Sequence, residues 1–346
     1  MSPSAAAIRD EAARLAEGFR ARGAAPFETA VLQPAGPLLD LYGEDIRARA
    51  YVTGDPHAGE MMLRPDFTLP LVRHHMAGDP AAPARYAYAG EVFRRQEDDP
   101  RRPREYVQAG FEVLGDADAA ARDAEVLAAL RAACGGAGRT TFGDIGLVTA
   151  AVRGLTTSER RRGQLLRHVW RPTRFRALLA AYAAPPAPFV PPPPSAAPDI
   201  GARDAAEVAE RIEALRADAA TPPVPAAEAE AMVALLALAC APDAAAAALD
   251  RMARALPGLG ARLPFFADRM AAMRGALDLG EVGFEASHAR SAMEYYDGMT
   301  FTITAPGLPP LATGGRYDAL TRAVGGADVP AVGGVARPAA LLAARG

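Results

Sequence analysis

Residues 104–116 read REYVQAGFEVLGD and residues 85–96 read RYAYAGEVFRRQ; between them lies the charged segment EDDPRRP, residues 97–103. Two runs of β-branched and aromatic residues on either side of a polar, Pro-containing connection predict a long antiparallel hairpin, Arg85 to Gln96 and Arg104 to Gly115. In the second strand a period of two puts Val107, Ala109, Phe111 and Val113 on one face and Gln108, Gly110 and Glu112 on the other. The first set packs a core. The second places an amide and a carboxylate ~13 Å apart along the backbone, on either side of a glycine that leaves space above the sheet. A small cationic molecule fits such a face; the alternative is a solvated sheet surface, which is common in antiparallel sheets.

Working outward, Ser4 reads as the N-cap of a helix in which Ile8, Leu15 and Phe19 share one side, ending near Gly23. From Phe27 to Gly115 the pattern is of short extended runs, among them MMLRPDFTLPL at 61–71. Helical spacing returns after Asp123 and dominates from Thr157 to Leu279, where Val208, Ile212 and Leu215 form an apolar stripe. Residues 184–198 hold eight prolines in fifteen positions, which predicts an extended surface linker. Extended alternation reappears in MEYYDGMTFTITA at 292–304, and Gly314-Gly315 marks a change from strand to helix. Two β-rich regions thus flank a helical one. The expected architecture is α+β: a discontinuous antiparallel-sheet domain, residues 1–155 and 280–346, with a mainly helical insertion at 156–279.

Composition excludes several functions. The chain has 346 residues, a net charge of −3, and 38 cations that are all arginine, because lysine is absent, as is asparagine. No Walker lysine, Schiff-base lysine or N-glycosylation site is present. The acidic balance argues against a broad nucleic-acid footprint. Cys134 and Cys240 lack metal-site spacing, no apolar leader is visible, and the longest apolar run, Ala231 to Ala241, is far below the ~20 residues of a membrane span. A cytoplasmic protein is expected. His74-His75 has no partner at metal-ligand spacing, so neither a metal nor a cofactor is assigned.

Further residues carry candidate chemistry. Arg94 and Arg104 approach the hairpin turn from opposite strands, where their guanidiniums suit carboxylate or phosphate groups or pair with Glu97, Asp98 and Asp99. In LRPDFT, at 63–68, Asp66 and Thr68 point to one face of an extended segment, ready for an ammonium group, unless Asp66 caps a turn. Tyr295 and Tyr296 are adjacent, so in a strand only one of them lines a pocket.

Taken in order, LRPDFT (63–68), YAGEVFRRQ (88–96), REYVQAGFEVLGD (104–116), EYYDGMTF (294–301), GGRYDALTRAVGG (314–326) and PAVGGVARP (330–338) resemble the catalytic core of histidyl-tRNA synthetases. The resemblance implies a class II synthetase fold, an antiparallel sheet flanked by helices with a helical insertion. It places Asp66 and Thr68 at the amino-acid ammonium, Gln108 and Glu112 at the histidine, and Tyr295 or Tyr296 beside the imidazole. Arg94 matches the second-motif arginine facing ATP phosphate and Arg337 the third-motif arginine at adenine; with Arg104 they make a vestigial nucleotide or phosphate site.

The departures redirect the functional expectation. Gln96 and Ala336 stand where that family has glutamates, and its catalytic arginine falls on Ser291, so the cation that stabilises charge at the activated carboxylate is missing. Arg290 lies next to it, but one residue along a strand faces the other way. The sequence also stops soon after the third motif, where a synthetase continues into an anticodon-binding domain. A synthetase-like core so altered is similar to the regulatory subunits of ATP phosphoribosyltransferase. That resemblance implies no catalytic residue here, a short-form catalytic subunit as partner, histidine as the feedback effector, a homodimer within a hetero-oligomer, and neither tRNA nor membrane as partner. A stand-alone enzyme that adenylates an amino acid is the alternative, and a scaffold that binds no histidine is a third.

Overall fold

The computed structural model describes residues 3–36, 50–95, 103–186, 188–191, 204–288 and 295–346. The chain begins with α1 (Ala5–Arg20), where the Ser4 hydroxyl accepts from the Ala7 amide as an N-cap and Leu15 and Phe19 are buried. Then come β1 (Ala25–Pro26), β2 (Leu32–Pro34), β3 (Val52–Asp55), β4 (Gly59–Leu63), α2 (Thr68–Ala77), β5 (Ala84–Phe93), β6 (Glu105–Leu114), α3 (Ala119–Ala133) and β7 (Arg139–Asp144). The helical stretch comprises α4 (Ile145–Arg153), α5 (Glu159–Arg167), α6 (Pro172–Ala183), α7 (Ala205–Ala219), α8 (Ala226–Ala237), the short β8 (Ala239–Cys240), α9 (Pro242–Ala253), α10 (Pro257–Gly260) and α11 (Leu263–Ala276). The last part is β9 (Val282–Glu285), β10 (Met299–Thr304), β11 (Ala312–Arg316), α12 (Asp318–Gly325), β12 (Ala331–Ala336) and α13 (Pro338–Arg345).

Strands from both ends of the sequence share one sheet, ordered β1-β5-β6-β12-β11-β10-β7-β9-β8 among the described residues. The hairpin forms as expected, with Tyr88 opposite Gly110 and Tyr86 opposite Glu112. β12 then pairs antiparallel with β6, setting Gly333 opposite Glu112. The pairs β1–β5 and β7–β9 are parallel, so the sheet is mixed.

Both faces of the sheet are covered. On one, α1 and α3 bury Ala109, Phe111 and Val113, and Phe19 stacks on Phe111 at 5.5 Å. On the other, Phe67, Leu69, Leu71 and Val72 from the α2 region and Tyr317 and Leu320 from the α12 region form a second cluster around Tyr88. The face bearing Gln108 and Glu112 is therefore not a solvated surface.

Three sequence expectations change. MMLRPDFTLPL is not one extended run: β4 stops at Leu63, and the Asp66 carboxylate accepts from the Thr68 amide at 3.1 Å, turning the chain into α2. β7 emerges where helix was expected and joins the sheet between β10 and β9. α7 forms, but its apolar stripe does not enter the core: no residue of α7 is buried, and Val208 and Leu215 are 45% and 44% exposed.

A buried ion network ties the sheet to the helices. Arg269 of α11 donates through Nε to Asp123 at 2.7 Å and also bonds Asp144, while Arg316 donates through Nε to Asp123 at 2.9 Å. Paired charges of this kind are tolerated inside only because each has its partners. Since Arg316 ends β11, the network also fixes where the next residue, Tyr317, enters the second cluster.

Candidate functional site

Glu112 lies at the bottom of the covered face, 1% exposed. Its two oxygens are held from opposite sides: Tyr88 Oη donates to Oε1 at 2.8 Å and Tyr317 Oη donates to Oε2 at 2.7 Å. Burial pushes the carboxyl up to about 7, against the two phenol bonds that favour its charged form, and the nearby Asp66 carboxyl adds to the rise. The phenols of Tyr88 and Tyr317 are in turn pushed well above their ordinary range by burial beside that carboxyl.

Two glycines create the room. A Cβ on Gly110 would lie 2.1 Å from the Tyr88 ring, and one on Gly333 would lie 1.3 Å from Glu112 Oε2. Neither position tolerates a side chain while the clamp is intact.

Gln108, four residues before Glu112 on the same face of β6, is 2% exposed, and its Oε1 is buried without a hydrogen-bond partner. Asp66 is also buried, its carboxyl raised by burial and lowered by Arg94 and by the amides of Leu69 and Thr68. Thr68, 5% exposed, starts α2. Asp66 thus caps the helix and still presents its carboxyl to the same interior. The capping and ligand readings of Asp66 are compatible.

Tyr295 and Tyr296 precede β10 rather than lying within it, so strand alternation does not separate them. Their rings approach to 4.6 Å; Tyr295 stands edge-on to Tyr317 at 6.0 Å, and Tyr296 lies near enough to Glu112 and Asp66 to feel both charges. The strand premise that assigned only one of them to a pocket does not apply here, because β10 begins at Met299.

Arg94 Nε donates to the Pro65 carbonyl at 2.8 Å, next to Asp66. Arg337 Nη1 donates to the Pro310 carbonyl at 2.7 Å, and its guanidinium also bonds the Tyr106 phenol. Burial, with Arg94 close by, holds Arg337 below its ordinary value despite the phenol. Two guanidiniums so near each other form an anion-attracting corner beside the carboxyl pocket. Arg104 does not join them: its side chain is exposed and its carbonyl accepts from the Arg94 amide at 2.8 Å. Gln96, the acidic residues 97–99, Arg290 and Ser291 lie outside the described residues. Ala336 is fully buried in β12.

Sequence reasoning missed Tyr88, Tyr106 and Tyr317. Tyr88 was within reach, because the hairpin register sets it opposite Gly110, the glycine between Gln108 and Glu112 on β6. His75, also buried, is satisfied by the Tyr86 hydroxyl at 3.1 Å and the Pro80 carbonyl at 3.2 Å. Among the described residues no cluster of metal-ligating side chains is present, and no helix is long and apolar enough to cross a membrane.

A family model described as Histidyl-tRNA synthetase matches residues 1–186 and 201–341. Among solved structures, the fold is similar to an ATP phosphoribosyltransferase regulatory subunit/histidyl-tRNA synthetase from Bacillus halodurans, with a TM-score of 0.72 at 21% identity over 98% of this chain and 79% of that one. It is also similar to the histidyl-tRNA synthetase of Nostoc sp. PCC 7120, with a TM-score of 0.65 at 16% identity over 97% of this chain and 70% of that one. These likenesses establish the class II synthetase-like fold. The ATP phosphoribosyltransferase regulatory subunit of Mesorhizobium japonicum is 34% identical over 93% of this chain and 94% of its own length. That of Agrobacterium fabrum is 33% identical over 93% of each. At that identity over nearly the whole length, the chain belongs to the family of ATP phosphoribosyltransferase regulatory subunits, built on the histidyl-tRNA synthetase fold.

Proposed function

We propose that this chain is the histidine-sensing, non-catalytic subunit of an ATP phosphoribosyltransferase, working with a short-form catalytic subunit in the first step of histidine biosynthesis. The observation that carries the reading is the pairing of the orphan Gln108 Oε1 with the clamped Glu112 on one buried face. A buried acceptor without a donor is costly, and a ligand ammonium supplies the donor. With Asp66 and Thr68 it makes an ammonium end; Glu112, beside Tyr295 and Tyr296, makes an imidazole end.

The chemistry follows from these groups. An imidazole N–H donates to the Glu112 carboxylate, and the two phenols each donate to one of its oxygens, so three charge-assisted bonds hold the charge. An amino acid lacking a side-chain N–H leaves that carboxyl without its partner, which is how a polar pocket selects its ligand. The ligand carboxylate would be left to face Arg94. Asp66, Gln108 and Glu112 together hold the ligand.

The test is reconstitution. The catalytic subunit alone should be slow, the full chain alone should neither form histidyl-tRNA nor exchange pyrophosphate into ATP, and the mixture should be active and inhibited by histidine. Histidine-dependent pyrophosphate exchange by the chain alone would instead make it an adenylating enzyme. A mixture insensitive to histidine would refute the sensing role.

A further inference from the structure

Residues 153–176 carry eight arginines and one carboxylate, Glu159, a local charge of +7 in a chain whose total is −3. The stretch runs from the end of α4 through α5 into α6. Arg161 and Arg162 have carboxylate partners among the described residues. Arg161 is buried and donates through Nε to Asp218 at 2.9 Å, and Arg162 pairs with Glu159 at 2.8 Å. Arg160, Arg167 and Arg174 are exposed and make no ion pair among the described residues.

These side chains form one surface. Burial first, and then the guanidiniums of Arg174, Arg171 and Arg167, hold the His168 imidazole below its ordinary value. Burial and then Asp218 push the Tyr182 phenol up, and Arg161, which lies over its ring at 4.9 Å, offsets part of that rise together with Arg160 and Arg174, so Arg174 links the two groups. His168 Nδ1 is itself buried without a partner. α6 adds to the excess: Arg171 is its N-cap residue, no side chain caps it, and its first turn holds no acid. Cations therefore stand where the helix dipole disfavours them, and like charges crowd at one- and two-turn spacing.

We propose that the exposed arginine face of α5 and α6 docks an acidic patch on a partner protein, the catalytic subunit of the function proposed above. The identity of the partner rests on that reading; the surface does not. A protein patch fits better than a long nucleic acid, because the total of −3 leaves −10 for everything outside this stretch, which repels an extended polyanion running beyond the patch. A compact carboxylate surface meets only the arginines. Complementary charge of this kind speeds association and fixes orientation, and it weakens as salt screens it.

Binding of labelled catalytic subunit to the full chain, measured at about 50 mM and about 300 mM salt, tests the proposal. The native chain is compared with Arg160→Glu/Arg167→Glu/Arg174→Glu and with the size-conserving Arg160→Gln/Arg167→Gln/Arg174→Gln. All three positions are exposed, and circular dichroism and unchanged histidine binding verify the fold. The expected result is a roughly tenfold or greater loss of affinity for the reversal variant at low salt, a smaller loss for the glutamine variant, and convergence with the native chain at high salt. A reversal variant that binds as the native chain does overturns the surface alone. A native chain that does not bind the subunit overturns the functional reading and this partner together. If the arginine variants lose a single-stranded oligonucleotide but keep the subunit, the surface serves a polyanion and the proposal is wrong.

Discussion

Replacing Glu112 with glutamine keeps the shape of the pocket and removes its charge, and the structure predicts opposite effects on ligand and on fold. Histidine loses a charge-assisted hydrogen bond, which costs ~1.5 to 3 kcal/mol, roughly a ten- to hundredfold weaker Kd. The free chain should respond differently with pH. Burial raises the Glu112 carboxyl from 4.5 to about 7, so between those values the folded state binds more protons than the unfolded one. Stability then falls as pH rises through that window and stays low above it. At 1.36 kcal/mol per unit, the ionised carboxyl costs the empty fold up to about 3 kcal/mol above pH 7. Glu112→Gln removes that cost, while its amide still accepts from one phenol and donates to the other. Urea unfolding at about pH 5 and about pH 8 should therefore show the variant gaining on the native chain at the higher pH, while calorimetry shows weaker histidine binding at both. A variant that binds histidine as tightly as the native chain refutes the pocket assignment. One that is destabilised equally at both values refutes the account of the raised carboxyl.

Three further outcomes follow from the same structure. Histidine affinity should fall about tenfold per unit below about pH 6, because ligand imidazole and Glu112 are then both protonated and one proton must leave on binding, as calorimetry in buffers of different ionisation heat reads directly. Gly333→Ala puts a Cβ 1.3 Å from Glu112 Oε2, so it should cost ~1 to 3 kcal/mol in a urea melt and weaken histidine binding with it. Arg269→Ala leaves Asp144 buried without its cation and Asp123 with Arg316 alone and should cost ~3 to 5 kcal/mol of stability, whereas Arg269→Ala with Asp144 also changed to asparagine should recover part of that loss.

The hairpin was legible because alternation and a charged, Pro-containing connection are local signals, and the helix after Ser4 was legible for the same reason. What covered the second face was not. Tyr317 reaches Glu112 from 205 residues away in sequence, and nothing in VQAGFEV says that α2 and α12 will close over it. The PDFT segment misled because the buried Asp66 carboxylate accepts from the first amides of α2 and so turns the chain out of the extended run. Tyr295 and Tyr296 misled because period two was applied to residues that precede the strand. For α7 the periodicity was right and the inference from it was not, since an apolar stripe predicts a helix without guaranteeing something to pack against.

Titrating free histidine into the purified full chain by calorimetry tests the central claim most directly. The account predicts saturable binding at one site per chain, with leucine and other amino acids lacking a side-chain N–H giving no comparable heat, and with binding weakened by Glu112→Gln. Absence of histidine binding, or equal binding of leucine, would contradict it.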